Sequence, residues 1–145
     1  LLARSWREAG LRVGFTNGCF DIIHAGHVKT IEGARALCDR LIVGLNADSS
    51  VRRLKGPSRP INPAEDRALV LMAMAAVDAV VIFGEDSPEA LIAELLPDFL
   101  VKGADYNADT IAGASIVRDR GGRVVTLPLL PDRSTTAIVG RRAEA

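Results

Sequence analysis

Apolar residues along this chain fall into short, nearly continuous runs separated by stretches of helical character. Val13 to Thr16, Leu41 to Leu45, Ala79 to Phe83, Phe99 to Val101 and Arg123 to Leu127 read as strands buried on both faces of a parallel sheet. Asn17-Gly18 reads as the exit turn of the first. Between the strands, Val28 to Leu37 predicts a helix. Asn62-Pro63-Ala64-Glu65 has the pattern of a capping box with proline at the first helical position, opening a helix to about Ala76. Ser87-Pro88 opens another to about Leu96, which Pro97 stops, and Asp109 to Arg120 gives a third, ended by Gly121-Gly122. Leu2 to Ala9 is a short helix closed by Gly10, so residues 1–10 form an N-terminal helix or a linker and 11–145 a domain. Regular alternation of strand and helix predicts an α/β fold: a Rossmann-like, doubly wound, parallel five-stranded sheet with helices on both faces and right-handed crossovers.

In such a sheet ligands bind beyond the carboxyl ends of the strands, where strand order reverses. Asn17 to His27 follow the first strand, Asn46-Ala47-Asp48 the second, Gly84-Glu85-Asp86 the third, and Lys102 to Tyr106 the fourth. After the fifth come Asp132 to Thr136, where Ser134 or a neighbouring threonine caps a last helix to about Arg142. The densest chemistry lies in the first of these segments. His24 and His27, three residues apart at a helix start, sit beside unpaired backbone N–H groups and the positive end of the helix dipole. That is a place for phosphate, and Gly26 between them lets a polyphosphate approach the backbone.

Composition narrows the function classes. Of 145 residues 48% are hydrophobic, and 18 Lys and Arg balance 18 Asp and Glu, so no global charge favours nucleic acid or an anionic membrane. No apolar run is long enough to span a bilayer. Two cysteines, Cys19 and Cys38, without a signal-peptide pattern suit a reducing cytoplasm, and both read as small packing residues. Neither a Gly-x-Gly-x-x-Gly nor a Walker motif is present. Cys19, His24, His27 and Cys38 are all possible zinc ligands, but Cys38 lies about 16 Å along a helix from His27. A three-ligand site of Cys19, His24 and His27 stays open, although phosphate needs the same histidines. The segment from Ser49 to Asn62 carries Arg52, Arg53, Lys55 and Arg59 with no acid of its own, while Gly56, Pro57 and Pro60 interrupt a helix. This predicts a mobile lid that orders over bound phosphates.

With these residues in view, the chain resembles the nucleotidyltransferases defined by a His-x-Gly-His signature. Within them it is most similar to the adenylyltransferase domain of the bacterial heptose-phosphate enzymes. The matching words run from Phe15-Thr-Asn-Gly-Cys-Phe-Asp-Ile-Ile-His-Ala-Gly-His27 through Leu41 to Asn46, Ser50 to Pro57, Arg59 to Pro63, Asp66-Arg67, Val101 to Gly103 with Asp105-Tyr106, to Arg133-Ser-Thr-Thr136. Ala104 stands where relatives commonly have a second glycine. The resemblance makes residues 11–145 a nucleotidyltransferase domain in which ATP and D-glycero-β-D-manno-heptose 1-phosphate give ADP-heptose and pyrophosphate for the lipopolysaccharide inner core. It implies catalytic roles for His24, His27 and Lys55. Nucleotide contacts fall to Thr16, Asn17, Gly18, Cys19, Phe20, Asp21, Gly26, Arg67, Lys102, Gly103, Asp105, Arg133, Ser134, Thr135 and Thr136. Mg²⁺ would accompany ATP, no other metal is expected, and a homodimer and a covalently linked sugar-kinase domain are further implications. Two alternatives remain: a cytidylyltransferase acting on glycerol 3-phosphate or another alcohol phosphate, and a non-catalytic nucleotide- or metal-binding module.

Overall fold

Five parallel strands in the order β3-β2-β1-β4-β5 form one sheet in the computed structural model of the chain, which describes residues 1–131 and Ile138. The elements run α1 Leu2–Glu8, β1 Val13–Gly18, α2 Ala25–Leu37, β2 Arg40–Asn46, α3 Asp48–Lys55, α4 Ala64–Met72, β3 Ala79–Phe83, α5 Glu89–Leu95, β4 Phe99–Gly103, α6 Ala114–Asp119 and β5 Arg123–Leu127. Alternate residues of each central strand feed two cores, as the period of two requires. Leu41, Val43 and Leu45 meet Ile31, Ala34 and Leu71 from α2 and α4 on one face. Val13, Phe15, Ile42 and Leu100 meet Ala3, Ile92, Ala114 and Val117 from α1, α5 and α6 on the other. This is the predicted doubly wound fold with helices on both faces. Burial on both faces holds for the central strands, whereas β3 and β5 are edges and Ile82 is exposed.

Strand order reverses at β1, and the ladder there is uneven. β1 pairs with β2 over six residues, from Val13↔Arg40 to Gly18↔Leu45, but with β4 only at Gly14↔Phe99 and Phe15↔Leu100. Beyond Phe15 the two strands part, and a crevice opens at their carboxyl ends. Lys102 reaches across it, its ammonium donating to the Asn17 carbonyl at 2.8 Å.

Several local readings change. Asn17-Gly18 is not a turn but the end of β1, because pairing with Gly44 and Leu45 outweighs the turn tendency of the dipeptide. α2 starts at Ala25, with His24 as its N-cap. The expected capping box at Asn62 does not form: the Asn62 amide donates to the Asp21 carbonyl at 2.8 Å. The first amide of α4, that of Ala64, is instead satisfied by the Asp48 carboxylate at 2.9 Å, and the helix ends at Met72 rather than near Ala76. The helix expected from Asp109 is confined to Ala114–Asp119, since Asn107 and Gly113, with φ +85°, organise turns before it. The basic segment is not a bare loop. Asp48–Lys55 is helical, Arg53 pairs with Asp86 at 2.7 Å and Arg59 with Asp21, so unopposed repulsion no longer supports a mobile lid. Cys38 packs against Gly14 as expected, whereas Cys19 is only half-buried. Arg133, Ser134, Thr135, Thr136 and the last helix lie outside the described residues.

Candidate active site

The crevice is a cavity of about 790 Å³ along the carboxyl edge of the sheet, within the range of small-molecule sites. Thr16, Asn17, Gly18, Cys19, Phe20, Asp21, His24, Gly26, His27, Lys55, Lys102, Gly103 and Asp105 all line it. Three segments of the chain, far apart in sequence, are thus brought together. Arg67 is the exception, and Arg133 to Thr136 lie outside the described residues.

The histidines form one unit. The Gly26 amide donates to His24 Nδ1 at 3.1 Å, and the His24 amide donates to His27 Nδ1 at 3.2 Å, a reciprocal cap that satisfies amides at the helix start. The two rings stack with centroids 3.7 Å apart, and Phe20 meets His27 edge-on at 5.1 Å. An Nδ1 that accepts a hydrogen bond carries no proton, so each neutral ring holds its proton on Nε2. Burial lowers the pKa of His24, and burial, His24 and Lys55 together push His27 down to about 4. At neutral pH the pair therefore offers two N–H donors without positive charge. Phe20, buried with φ +47°, takes a left-handed backbone that a bulky residue rarely adopts, and its ring fills the space beside Gly18 and His27.

The remaining charges divide by task. Burial would raise the Asp21 carboxyl, but the Asn62 and Ile61 amides at 2.9 and 2.7 Å, together with Arg59, hold it below its ordinary value. Asp21 is thereby a ligand for the chain's own 59–62 segment. Arg67 is 2% exposed and donates to the carbonyls of Cys19, Asn46 and Asn62 at 2.7, 2.8 and 2.9 Å and to the Asp48 carboxylate at 2.6 Å. The nucleotide contact that the resemblance implies for Arg67 is therefore replaced by a scaffold role. Lys102 lies 4.5 Å from the Tyr106 ring centroid, and burial pushes its ammonium down to about 8. Burial also raises the Cys19 thiol, so it is protonated at neutral pH. Among the described residues no cluster of three His, Cys, Asp or Glu side chains could hold a metal ion. Asn46, Arg59, Asp86, Ser87, Tyr106, Leu129 and Leu130 also line the cavity. Sequence reasoning gave most of them no role, although the position of Asn46, Asp86 and Tyr106 just after strands was a signal.

Comparison with known proteins agrees with this geometry. Residues 15–141 match the family model described as cytidylyltransferase-like. The chain is 61% identical over 140 residues to the bifunctional protein HldE of Mesorhizobium japonicum, taking in 97% of this chain and 28% of that protein. It is 63% identical over 136 residues to HldE of Gluconacetobacter diazotrophicus, taking in 94% of this chain and 28% of the relative. The chain thus spans little more than a quarter of the length of these curated relatives. Two solved structures share the fold. A lipopolysaccharide core biosynthesis protein from Thermoplasma volcanium has a TM-score of 0.67 at 24% identity, covering 83% of this chain and 98% of that one. The pantothenate synthetase of Thermus thermophilus has a TM-score of 0.59 at 20% identity, covering 88% and 60%. With a family match that takes in nearly the whole sheet and the His-x-Gly-His helix start at its switch point, the chain belongs to the cytidylyltransferase-like family of nucleotidyltransferases.

Proposed function

We propose that this chain transfers the adenylyl group of ATP to D-glycero-β-D-manno-heptose 1-phosphate, giving ADP-heptose and pyrophosphate. The observation that carries the proposal is the histidine pair, whose Nδ1 atoms are both engaged by backbone amides so that both Nε2–H groups remain for phosphate. The identity with HldE and the heptose-enzyme motif words support the choice of substrates. An oxygen of the acceptor phosphate attacks the α-phosphorus in line, the bond to the β-phosphate oxygen breaks, and pyrophosphate carries off the electron pair. No protein nucleophile takes part. His24 and His27 donate to the α-phosphate oxygens as charge grows on them, Gly26 leaves room for that approach, and Lys55 bridges donor and acceptor phosphates. Thr16 to Asp21, Lys102, Gly103 and Asp105 border the nucleotide. By resemblance, Arg133 and Ser134 to Thr136 hold the β- and γ-phosphates. Mg²⁺ would screen the charge of the bound triphosphate. The same reading extends to a homodimer and, in the full-length protein, to a linked sugar-kinase domain.

Pyrophosphate release with heptose 1-phosphate and each of ATP, CTP and GTP tests the assignment. ATP should be the best donor by at least an order of magnitude. Faster turnover of CTP with glycerol 3-phosphate would replace both substrates while leaving nucleotidyl transfer intact, and nucleotide binding without pyrophosphate release would point to a non-catalytic module.

A pH dependence follows from Lys102. Its ammonium is charged below about 8 and loses its proton above that value, whereas a bound triphosphate favours the charged form. ATP affinity is therefore full below pH 8 and declines as pH rises through it. Titration calorimetry from pH 7 to 9.5 should show this decline in the wild type and a flatter profile in Lys102→Met. Parallel profiles would remove Lys102 from the nucleotide site.

A further inference from the structure

The two ends of the cavity differ in chemistry. Beyond β4 and β5 its walls are Tyr106, Ile111, Ala112, Leu129 and Leu130, a largely apolar surface suited to the face of a nucleobase. Beyond β2 and β3 they are Asn46, Lys55, Arg59, Asp86 and Ser87. The histidine pair, on the helix that follows the central strand β1, lies between these two ends. A nucleoside and a hydroxyl-rich acceptor that meet at one phosphorus must approach it from different sides, and the polar end suits the acceptor.

Asp86 and Ser87 stand out there because the structure orients both and leaves each with unused capacity. Arg53 Nε donates to Asp86 Oδ1 at 2.7 Å, and the same guanidinium bonds the Gly84 carbonyl, so the carboxylate is held on the segment that follows β3. Its Oδ2 has no partner among the described residues and is free to accept. Ser87 Oγ accepts from the Glu89 amide at 3.3 Å, which leaves its hydroxyl proton to be donated. One acceptor and one donor on adjacent residues at the cavity wall form a reader for sugar hydroxyls, which both give and take hydrogen bonds. Lys55, at the end of the helix that Arg53 ties to Asp86, would carry the charge for the acceptor's phosphate.

We infer that Asp86 and Ser87 are the specificity-determining residues for the acceptor, reading the hydroxyls of a phosphorylated polyol while the apolar wall beyond β4 and β5 takes the nucleoside. This inference rests on the proposed adenylyl transfer and adds the side of the cavity on which the sugar is chosen.

Asp86→Ala and Ser87→Ala are the test. The Asp86 side chain is 61% exposed and Ser87 is exposed too, so both variants should fold, Ser87→Ala giving up only its bond from the Glu89 amide. Loss of a hydrogen bond to a carboxylate corresponds to about ten- to a hundred-fold. KM for heptose 1-phosphate should rise by about that factor in Asp86→Ala and by less in Ser87→Ala. KM for ATP, and kcat at saturating acceptor, should change by less than about twofold. Asp86→Ala should also discriminate less than the wild type between heptose 1-phosphate and a deoxy analogue. An unchanged acceptor KM, or a parallel rise in the KM for ATP, overturns the inference while adenylyl transfer stands. If the wild type does not turn over heptose 1-phosphate, the same comparison is made by calorimetry with a series of sugar and polyol phosphates. Selective loss of binding in Asp86→Ala then supports the acceptor site with a different substrate, and equal binding to wild type and variant, or none to either, overturns it.

Discussion

Replacing His24 or His27 by alanine is expected to lower kcat by about 10²- to 10³-fold, with a much smaller change in the Kd for ATP. The expectation follows from the hydrogen bonds the rings already make. Each Nδ1 is occupied by a backbone amide, so rotation cannot exchange the two ring nitrogens without breaking the reciprocal cap. The Nε2–H groups are thus fixed before substrate arrives, and donors fixed in advance act on charge that develops in the transition state without reorganisation. Neutrality matters too: burial and mutual repulsion keep His27 uncharged, so its contribution to ground-state binding of the triphosphate is modest. Alanine also removes a cap, which costs about 1 kcal/mol of stability. His24→Asn separates the two effects, because asparagine is a good N-cap but does not reproduce the Nε2 donor. It should fold like the wild type and lose turnover like alanine. Equal losses in kcat and ATP affinity would make the histidines ground-state anchors instead.

What the sequence revealed, and what it hid, follows from the range of the interactions. The strands Ala79–Phe83 and Arg123–Leu127 match their apolar runs residue for residue although they are edges, because their valine- and isoleucine-rich composition itself favours extended backbone. The His24–His27 helix start was equally legible, being built within four residues. Misreadings arose where a distant partner decided the outcome. Asn17-Gly18 has the composition of a turn, yet six consecutive pairings with β2 keep it extended. The Asn62 side chain was expected to cap its own helix but is drawn to Asp21, while Asp48 supplies the cap from sixteen residues away. Arg53 and Arg59 looked unopposed because their acids, Asp86 and Asp21, are 33 and 38 residues distant. Arg67 was placed by resemblance alone, and nothing in its neighbourhood indicated that three backbone carbonyls would converge on it.

Arg67→Met is expected to be the most destabilising single change in this domain, by about 3–5 kcal/mol. Methionine fills much of the volume, so the cost comes from polar groups and not from a cavity. The guanidinium satisfies the carbonyls of Cys19, Asn46 and Asn62, and a buried acceptor left without its donor costs roughly 1–3 kcal/mol. These costs are not additive, because the segments can shift to admit water. Asp48 adds less, since its side chain is 36% exposed and keeps the Ala64 amide as a partner. For a domain with about 5–15 kcal/mol of total stability the loss is a large share, and it should appear as a fall in Tm of about 10 °C. Arg67→Lys should recover little, because one ammonium with three donors cannot span acceptors on three separate segments. The three carbonyls belong to the β1 exit, the β2 exit and the approach to α4, so their release also loosens Cys19 and the segment that carries Arg59 at the cavity wall. ATP should therefore raise the Tm of Arg67→Met less than that of the wild type at equal concentration. A Tm within 2–3 °C of wild type would mean that the carbonyls find other donors and that the guanidinium does not hold the site together.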